Sequence, residues 1–411
     1  MLTANSTVRT NMGLELSTVT GSVQVNAQAL SLQTDSADVR EEIRSDQLQN
    51  LPVPTNRNFQ SLLITVPGFS TATLGASVAT NPGRALTMSA NGVNQAGVSI
   101  RVDGTVTQDA WSPFHADYVP NLDAIEVVNV VTGSFDAEQG FAGGVAVNVQ
   151  IKSGTNDVHG SGSWYHDNNH LKARPYFLPA DQGKNKKILN QFGGTVGGPI
   201  IRNKLFYFGS YEGSYDRESV FSIGSVPSTL MRVGNFSEST TTIYDPATGR
   251  GGRDRQPFAN NILPASRISP IIQKLVDLTP LPNLNSDARL NYFANGPFTL
   301  DRRDVDTKFT WNATDKLNIN ARISALTFDS ISPLRFEKLE GNRLGGRGDT
   351  PGTSDGHMEN MTFSVVYTLS PNWVFDAYFG LSKRHSGRTP LSDDLTPTAR
   401  CWIPVLRDRW F

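Results

Sequence analysis

The fold of this chain is decided by residues 125–165, which spell IEVVNVVTGSFDAEQGFAGGVAVNVQIKSGTNDVHGSGSWY. An apolar run at Ile125–Val131 and an alternating run at Val145–Ile151 both predict β-strands. Glycines at positions 140, 143 and 144 mark a turn between these runs, and a KSGTN sequence leads into a third, glycine-spaced strand. The block therefore predicts closely connected strands on both sides of residue 152.

Composition narrows the class of protein. The 411 residues are enough for two or three domains, and charged residues make up 18%, below the roughly 25% of an average soluble domain. A net charge of -1 gives no reason to expect nucleic acid as a partner. Cys401 is the one cysteine and cannot form an internal disulfide. No apolar run is long enough for a transmembrane helix, whereas alternating membrane strands remain compatible with this composition.

Alternation of apolar and polar residues is strict in the C-terminal half. Each run is about nine residues long, near the roughly 9–11 that a tilted strand needs to cross a bilayer. The clearest runs are 305–311, 317–325, 361–369 and 373–381, and the earlier candidates are His159–His166, Leu189–Gly198 and Leu205–Tyr215. Together they predict seven strands.

The connections between these strands separate a membrane barrel from a soluble β-sandwich. Short links such as GPIIRNK, NATDK and SPN alternate with long ones at 167–188, 216–303 and 328–357. Outer-membrane barrels have this asymmetry, with tight periplasmic turns and long extracellular loops. Trp311 and Trp373 lie beside short turns, where an aromatic girdle is expected. A soluble sandwich explains neither feature.

The order of motifs in the 125–165 block resembles the junction between plug and barrel in TonB-dependent outer-membrane transporters. In that family a similar GG-V-N-V-K-SGTN sequence ends the plug. The resemblance implies a mainly β fold, with an α/β plug domain at 36–155 followed by the first strands of an incomplete antiparallel transmembrane β-barrel at 156–390. Barrels of this class need about 22 strands, so the chain is expected to be a fragment, with residues 391–411 as an irregular, truncated C-terminus.

Local signals predict several elements inside these regions. Asp35 or Ser36 is a possible cap for a short helix through Ile43, and the apolar spacing in 57–66 predicts a second helix. Turns are predicted at 91–92 and 103–104. In the longest link, Ser269 and Pro270 begin an amphipathic helix whose apolar face is expected to be buried against the loop or the barrel rim. This link resembles a loop segment of the Oar-like branch of the family.

The N-terminal segment is expected to contain the energy-coupling element. Residues 1–35 resemble the end of a carboxypeptidase-regulatory-like β-sandwich that precedes the plug in the Oar-like branch. Within them Val23, Gln24, Val25, Asn26 and Ala27 resemble a TonB box, which adds a strand to the periplasmic energy-coupling protein. An ordinary sandwich strand is an equal alternative for these residues.

The resemblance implies import of a scarce solute and no enzymatic activity. Arg101, Asp103, Asp109 and Trp111 are candidates for the substrate-facing apex of the plug, although a solvated strand end also accounts for Arg101 and Asp103. No catalytic cluster, metal site or cofactor site is predicted. The expected partners are a TonB-type energy-coupling protein, outer-membrane lipid and an extracellular solute, such as a siderophore, glycan or peptide.

The expected location is the outer membrane, with the plug and N-terminal segment on the periplasmic side or within the barrel. Two alternatives stay open. The first is a cell-surface adhesin or glycan-binding β-protein without energy coupling. The second is a soluble β-sandwich enzyme, which would need a convergent catalytic cluster that the sequence does not show.

Overall fold

The computed structural model places the chain in two β-sheets. It describes residues 39–51, 57–73, 83–108, 116–132, 143–174, 183–250, 253–284, 290–333 and 352–389, with the single positions 53, 81, 113 and 176. Residues 1–35, and with them the predicted TonB box, lie outside the described ranges, as do 391–411.

The first sheet forms the N-terminal domain, which we call the plug. Its five strands are β1 Val39–Arg44, β2 Val98–Val102, β3 Thr105–Val106, β4 Ile125–Thr132 and β5 Val145–Ile151. They are ordered β1-β4-β5-β2-β3, with β2 parallel to β5 and the other neighbours antiparallel. Helix α1 Ser45–Asn50 and short 3₁₀ helices at Phe59–Thr65, Gln95–Gly97 and Leu122–Ala124 cover the sheet.

Burial in the plug follows the position of each strand in the sheet. Strands β5 and β2 lie inside the sheet and bury residues on both faces, including the polar Ser99 of β2. Strand β1 is an edge strand, and of its six residues only Ile43 is buried. The predicted helix through Ile43 is therefore wrong, because Ile43 pairs with Val128 of β4 and the helix begins only at Ser45.

Two further local predictions can be compared with the plug. The predicted helix at 57–66 is present as a 3₁₀ helix, and the Asn58 side chain caps it by accepting a hydrogen bond from the Gln60 backbone N–H at 2.9 Å. The predicted turn at Asn91–Gly92 is confirmed by positive φ values of 50° and 79°. Thr87 and Ala90, which precede this turn, take part only in isolated β-bridges.

The second sheet, which we call the wall, contains seven strands. They are β6 His159–Asn168, β7 Lys187–Ile201, β8 Leu205–Gly224, β9 Tyr292–Thr314, β10 Leu317–Ser332, β11 Gly352–Ser370 and β12 Trp373–Thr389. Each strand pairs antiparallel with its neighbours in chain order, and β6 and β12 are the two edges of the described sheet. Seven predicted strands are therefore confirmed among the described residues, and their connections are alternately short and long.

The wall strands are longer than predicted. Strand β9 spans 23 residues and β11 spans 19, against about nine expected from the apolar alternation. Backbone pairing continues on the long-loop side of the apolar band, as at residues 292–303 of β9 and 352–360 of β11, where the outward positions are mostly polar. Apolar alternation therefore detects only the part of each strand nearest the short turns.

The 225–291 link contains the predicted helix, here α2 Pro270–Leu278. Ser269 occupies the N-cap position with Pro270 directly after it, but the Ser269 side chain makes no capping hydrogen bond. The Arg232 guanidinium donates to the Val276 and Thr279 carbonyls at 2.8 Å each and thereby satisfies the C-terminal end of the helix. The predicted burial of the apolar face is wrong, since no residue of α2 is buried.

No helix in the described part of the chain is both long and apolar enough to span a membrane.

Candidate functional site

The wall has the reverse polarity of a soluble sheet. On the face toward the plug, Asp304, Asp306 and Arg322 are exposed by only 1%, 0% and 2%. On the opposite face, Val305 and Phe309 alternate with them and are exposed by 42% and 41%. Ionisable side chains are almost never fully buried unless they are paired. Partners for this inner face come from other wall residues, such as Arg302 for Asp304, and from the plug, while the outer face suits an apolar environment.

The outward apolar residues form a band across neighbouring strands. Its members include Val305, Phe309, Trp311, Ile323, Met361, Phe363, Tyr367, Phe375, Phe379 and Leu381, all substantially exposed. Trp311 and Trp373 lie at the end of the band beside the short turns, as expected for an interfacial aromatic girdle. This arrangement is the geometry of a membrane-barrel wall.

Asp103, in the turn between β2 and β3, is bound to two cations of the wall. Its carboxylate oxygens lie 3.0 Å from Lys308 Nζ and 3.2 Å from Arg322 Nε. The same cations also donate to plug carbonyls, Lys308 to Ile151 at 2.8 Å and Arg322 to Val102 at 3.1 Å. The β2–β3 hairpin is thus attached to β9 and β10 by charge-assisted hydrogen bonds and ion pairs.

Tyr118 provides a second link between plug and wall. Its hydroxyl donates to Asp306 Oδ1 at 2.5 Å, and Asp306 also accepts from Ser324 and Ser210 at 2.5 and 3.2 Å. Burial raises the pKa of the Tyr118 phenol well above its usual value, and the neighbouring Asp306 charge raises it further. Tyr118 therefore stays neutral and remains a hydrogen-bond donor to the buried carboxylate.

Arg57 is the centre of a third cluster. It donates to both oxygens of Asp123 at 3.1 and 2.8 Å, and its guanidinium lies 3.9 Å from the ring centroid of Tyr165 on β6. It also lies 3.9 Å from Glu212 of β8, which pairs with Arg302 of β9 at 3.0 Å. Charges of alternating sign therefore run from the plug into two wall strands.

The environment of Asp123 favours its ionised form. Burial alone raises the pKa of this carboxyl, but the hydrogen bonds and charge of Arg57, a hydrogen bond from Ser163 and the charge of Lys152 outweigh burial. The pKa of Asp123 is consequently lower than its usual value. Since Ser163 belongs to β6 and donates at 2.9 Å, Asp123 also connects the plug to the first wall strand.

The hairpin turn faces the end of the wall that carries the short turns. Strand β5 leads into β6, whose first residue His159 pairs with Gly197 near the β7–β8 turn. Because β2 runs parallel to β5, Asp103 and Gly104 lie toward the same end. The left-handed φ values of these two residues, 47° and 88°, confirm the predicted turn. Short turns are periplasmic in outer-membrane barrels.

The predicted site residues have different outcomes. Asp109, Trp111 and the Val23–Ala27 segment lie outside the described residues. Arg101 and Asp103 lie together at the short-turn side, where both line a cavity. Contact between these two residues and incoming solute stays a prediction, whereas their surroundings favour attachment of the plug to the wall.

Sequence reasoning missed the residues that join plug and wall. For the wall, the signal was present in the polar positions of β9, where Asp304, Asp306 and Lys308 are charged at every second residue. Arg57 and Tyr118 had no such pattern, because their partners are far away in the sequence. Within the described residues, no group of His, Cys, Asp and Glu side chains is arranged to hold a metal ion.

A cavity of about 500 Å³ lies between the plug hairpin, strand β5 and the inner faces of wall strands β9–β12. Its position is toward the short turns, since Asn318 and Asn320 near the start of β10 and Asp376 near the start of β12 line it. Amide, hydroxyl and charged side chains dominate the lining.

Comparisons with known proteins agree with this architecture. Residues 31–145 match the TonB-dependent receptor plug domain, and residues 150–404 match an outer membrane beta barrel domain. The TonB-dependent transporter Oar from Myxococcus xanthus is 27% identical over 169 residues, which cover 39% of this chain and 14% of that protein.

Solved structures with a similar arrangement include two receptors. The siderophore receptor PirA from Acinetobacter baumannii has a TM-score of 0.48 at 16% identity, covering 85% of this chain and 40% of that one. The R480A mutant of the ferric enterobactin receptor PfeA from Pseudomonas aeruginosa has a TM-score of 0.47 at 14% identity, covering 86% and 42%. The chain thus spans well under half the length of these relatives.

The barrel-domain match alone includes more than half of the chain, and the plug-domain match precedes it in the order found in the fold. Both are domains of outer-membrane receptors, which locates the protein in the outer membrane. The chain belongs to the TonB-dependent receptor family, with a plug followed by strands of an outer-membrane β-barrel.

Proposed function

We propose that the protein imports a scarce solute across the outer membrane and that a TonB-type energy-coupling protein drives this import. The observation that carries the proposal is the charged inner face of the wall, which is covered by a plug bearing matching charges. Asp304, Asp306 and Arg322 are buried there, and Asp103 and Tyr118 of the plug contact this face. The apolar core of the plug also continues into inner-face residues of the wall such as Leu300, Leu326 and Phe328, so release of the plug has to break apolar as well as polar contacts.

The source of energy in this proposal is a pull on the N-terminal segment. Val23–Ala27 is the proposed coupling element, because an extended segment can add a strand to a partner through main-chain hydrogen bonds. It precedes β1, an edge strand with one buried side chain, Ile43. A pull transmitted to β1 therefore acts first on a weakly held part of the plug.

The proposed solute is captured by the extracellular loops and the plug apex, including Asp109 and Trp111. A siderophore, a glycan and a peptide are the classes we consider. No bond in the solute needs to be made or broken, so the proposed function is transport without enzymatic chemistry. Adhesion without energy coupling is less well supported, because it gives no role to a domain matching the plug of TonB-dependent receptors.

Solute uptake by cells carrying the protein at its full natural length tests the proposal. We expect deletion of Val23–Ala27 to abolish uptake while leaving surface binding of the solute intact. Deletion of residues 9–13 serves as a length-matched control and should leave uptake unchanged. Uptake that persists without Val23–Ala27 would refute the coupling assignment, and binding without uptake in the unaltered protein would favour adhesion.

A further inference from the structure

The first wall strand, β6, has a sequence that does not fix its own alignment with β7. Its Gly160, Ser161, Gly162 and Ser163 form a two-residue repeat, with serine on the inner face and glycine on the outer face. In the structure Ser161 lies opposite Thr195, and their hydroxyls are 2.8 Å apart. A shift of β6 by two residues would put Ser163 in the same place, and Gly162 where Gly160 now lies.

Such a shift costs little in the neighbouring strand. The β7 residues opposite the repeat include Gly193 and Gly194, which have no side chain to misplace. Because side chains alternate between faces, a two-residue shift also keeps every residue on its own side of the sheet. The loss that the two strands themselves impose is the outward pairing of Trp164 with Phe192. Glycine-rich strands are weakly specified in register for these reasons.

A pair of side chains just outside the strands does distinguish the two alignments. Asn156 lies three residues before β6, and Asn203 lies in the turn between β7 and β8. The Asn156 amide donates to Asn203 Oδ1 at 2.7 Å, and the Asn203 backbone N–H donates to Asn156 Oδ1 at 2.8 Å. We call these two residues the asparagine pair. A two-residue shift of β6 would separate them by about 7 Å and break both hydrogen bonds.

The spacing between the asparagine pair and β6 is held by Thr155. Its hydroxyl donates to the Asp157 carbonyl at 2.9 Å and also contacts Nε2 of the His159 ring. These contacts close the chain between Asn156 and the first residue of the strand, so extra length cannot be taken up there without breaking them. The position of Asn156 is thereby transmitted to β6.

The segment that leads to the asparagine pair lies directly on the wall. The Ser153 hydroxyl is 3.1 Å from that of Thr310 on β9. A Cβ atom on Gly154 would collide with the Tyr207 carbonyl oxygen of β8 and would lie 2.6 Å from that of Gly198 on β7. The segment therefore crosses three wall strands in close contact before it reaches the turn. Its position is fixed by the wall and not by β6.

We propose that the asparagine pair selects the register of β6 on β7, so that the first wall strand is aligned by the turn of the next hairpin and not by its own repeat. Asn156 and Asn203 act as positioning residues during assembly of the wall, which is a role separate from import. The plug adds a second contact that favours the same register, because Ser163 donates to Asp123 at 2.9 Å.

Disulfide trapping in the refolded protein of full natural length tests the proposal. All native cysteines, Cys401 among them, are replaced by serine, and every probe contains Thr195→Cys. Ser161→Cys reports the observed register, and Ser163→Cys reports the shifted one. Directly opposite residues have Cα atoms about 5 Å apart, whereas diagonal neighbours are about 7–8 Å apart, beyond the reach of a disulfide.

The measured quantity is the ratio of shifted to observed disulfide, after folding under reducing conditions and brief oxidation. We expect Asn156→Ala and Asn203→Gly each to raise this ratio about tenfold, which corresponds to about 1.4 kcal/mol. Glycine is used at position 203 because φ is 62° there, a value that alanine would strain.

Two control variants make the result specific. Asn312→Ala removes an amide from a comparable pair between β9 and β10, in which Asn318 donates to Asn312 at 2.6 Å, and should leave the ratio unchanged. Asn156→Asp keeps an acceptor for the Asn203 N–H, and its second oxygen accepts from the Asn203 amide once that amide rotates. It should therefore keep the observed register.

Each outcome supports or overturns the proposal. An unchanged ratio in both Asn156→Ala and Asn203→Gly would overturn it, and so would a tenfold rise in Asn312→Ala or Asn156→Asp. Loss of strand content in the first two variants, measured by circular dichroism, would overturn it as well, because the pair would then hold the wall together and not choose between alignments. Preserved strand content with a raised ratio is the expected result, since a two-residue shift keeps most of the hydrogen bonds between β6 and β7.

Discussion

The ion pair between Arg57 and Asp123 is expected to be a strong determinant of plug stability. Both side chains are only 11% exposed, and two hydrogen bonds at 2.8 and 3.1 Å join them. Removal of one partner from a buried pair costs about 3–5 kcal/mol, since it leaves the other charge uncompensated. We therefore expect Arg57→Met and Asp123→Asn to destabilise the plug by about 3 kcal/mol each, at the low end because some solvent reaches the pair.

The double variant separates the interaction from the two individual losses. When both charges are removed, no unpaired charge remains, so the combined cost should be smaller than the sum by about 2 kcal/mol. Ser163, which donates to Asp123 at 2.9 Å, is able to keep a hydrogen bond to the Asn side chain in the single Asp123→Asn variant. The coupling should consequently be lower than for a pair without other partners.

Hydrogen exchange of backbone amides measures these free energies in the intact protein. Amides of the inner plug strands β4 and β5 report opening of the plug, while those of β10 report the wall and serve as an internal reference. We expect protection to fall in the plug strands and to be unchanged in β10. Strictly additive effects of the two substitutions, with coupling below about 0.5 kcal/mol, would refute the assignment of this pair as a stabilising contact.

Three further predictions concern separate parts of the molecule. The fold lowers the pKa of Asp123, so ionised Asp123 stabilises the plug fully above the unfolded pKa of about 3.9, and this stabilisation is lost as pH falls through the lower folded pKa. Protection of the plug amides from hydrogen exchange should therefore decline only in acid. The Asp123→Asn variant should not show that decline. Gly154→Ala places a Cβ 2.2 Å from the Tyr207 carbonyl oxygen and should lower stability by about 1–3 kcal/mol in urea unfolding, unlike Gly162→Ala. Trp373, exposed by 70% beside a short turn, should be quenched by lipids brominated near the headgroup, and the Trp373→Phe variant should lose part of this signal, the remainder coming from Trp311 in the same girdle.

The sequence was sufficient for the fold because its strongest signals are periodic. Alternation in 305–311 and 317–325 identified β9 and β10, and link lengths established which ends carry the short turns. The prediction of a helix through Ile43 was wrong because strand pairing with β4 overrides a local capping signal. The predicted ends of the wall strands were wrong for a different reason, since backbone hydrogen bonding between strands continues where the apolar pattern stops.

Only part of the candidate site follows from the sequence in the same way. Asp304, Asp306 and Lys308 could be placed on one face from their spacing alone, and that face was identifiable as the polar one. Their plug partners could not be placed, because Tyr118 and Asp306 are separated by 188 positions and no local pattern relates them. Long-range charge pairing is a property of the assembled fold and leaves no periodic trace in one sequence.

The charges of the wall bear on how stable the barrel would be after the proposed release of the plug. Arg302, Asp304 and Asp306 face the interior, so after release of the plug they meet water rather than lipid. Solvation by water replaces the lost ion pairs, while the inner-face apolar residues Leu300, Leu326 and Phe328, which belong to the same buried cluster as the plug core, become exposed to water at a cost in free energy. We expect a variant lacking residues 36–155 to keep the strand content and heat resistance of the wall, measured by circular dichroism. Collapse of the wall in that variant would show that the plug contacts are structural and not separable.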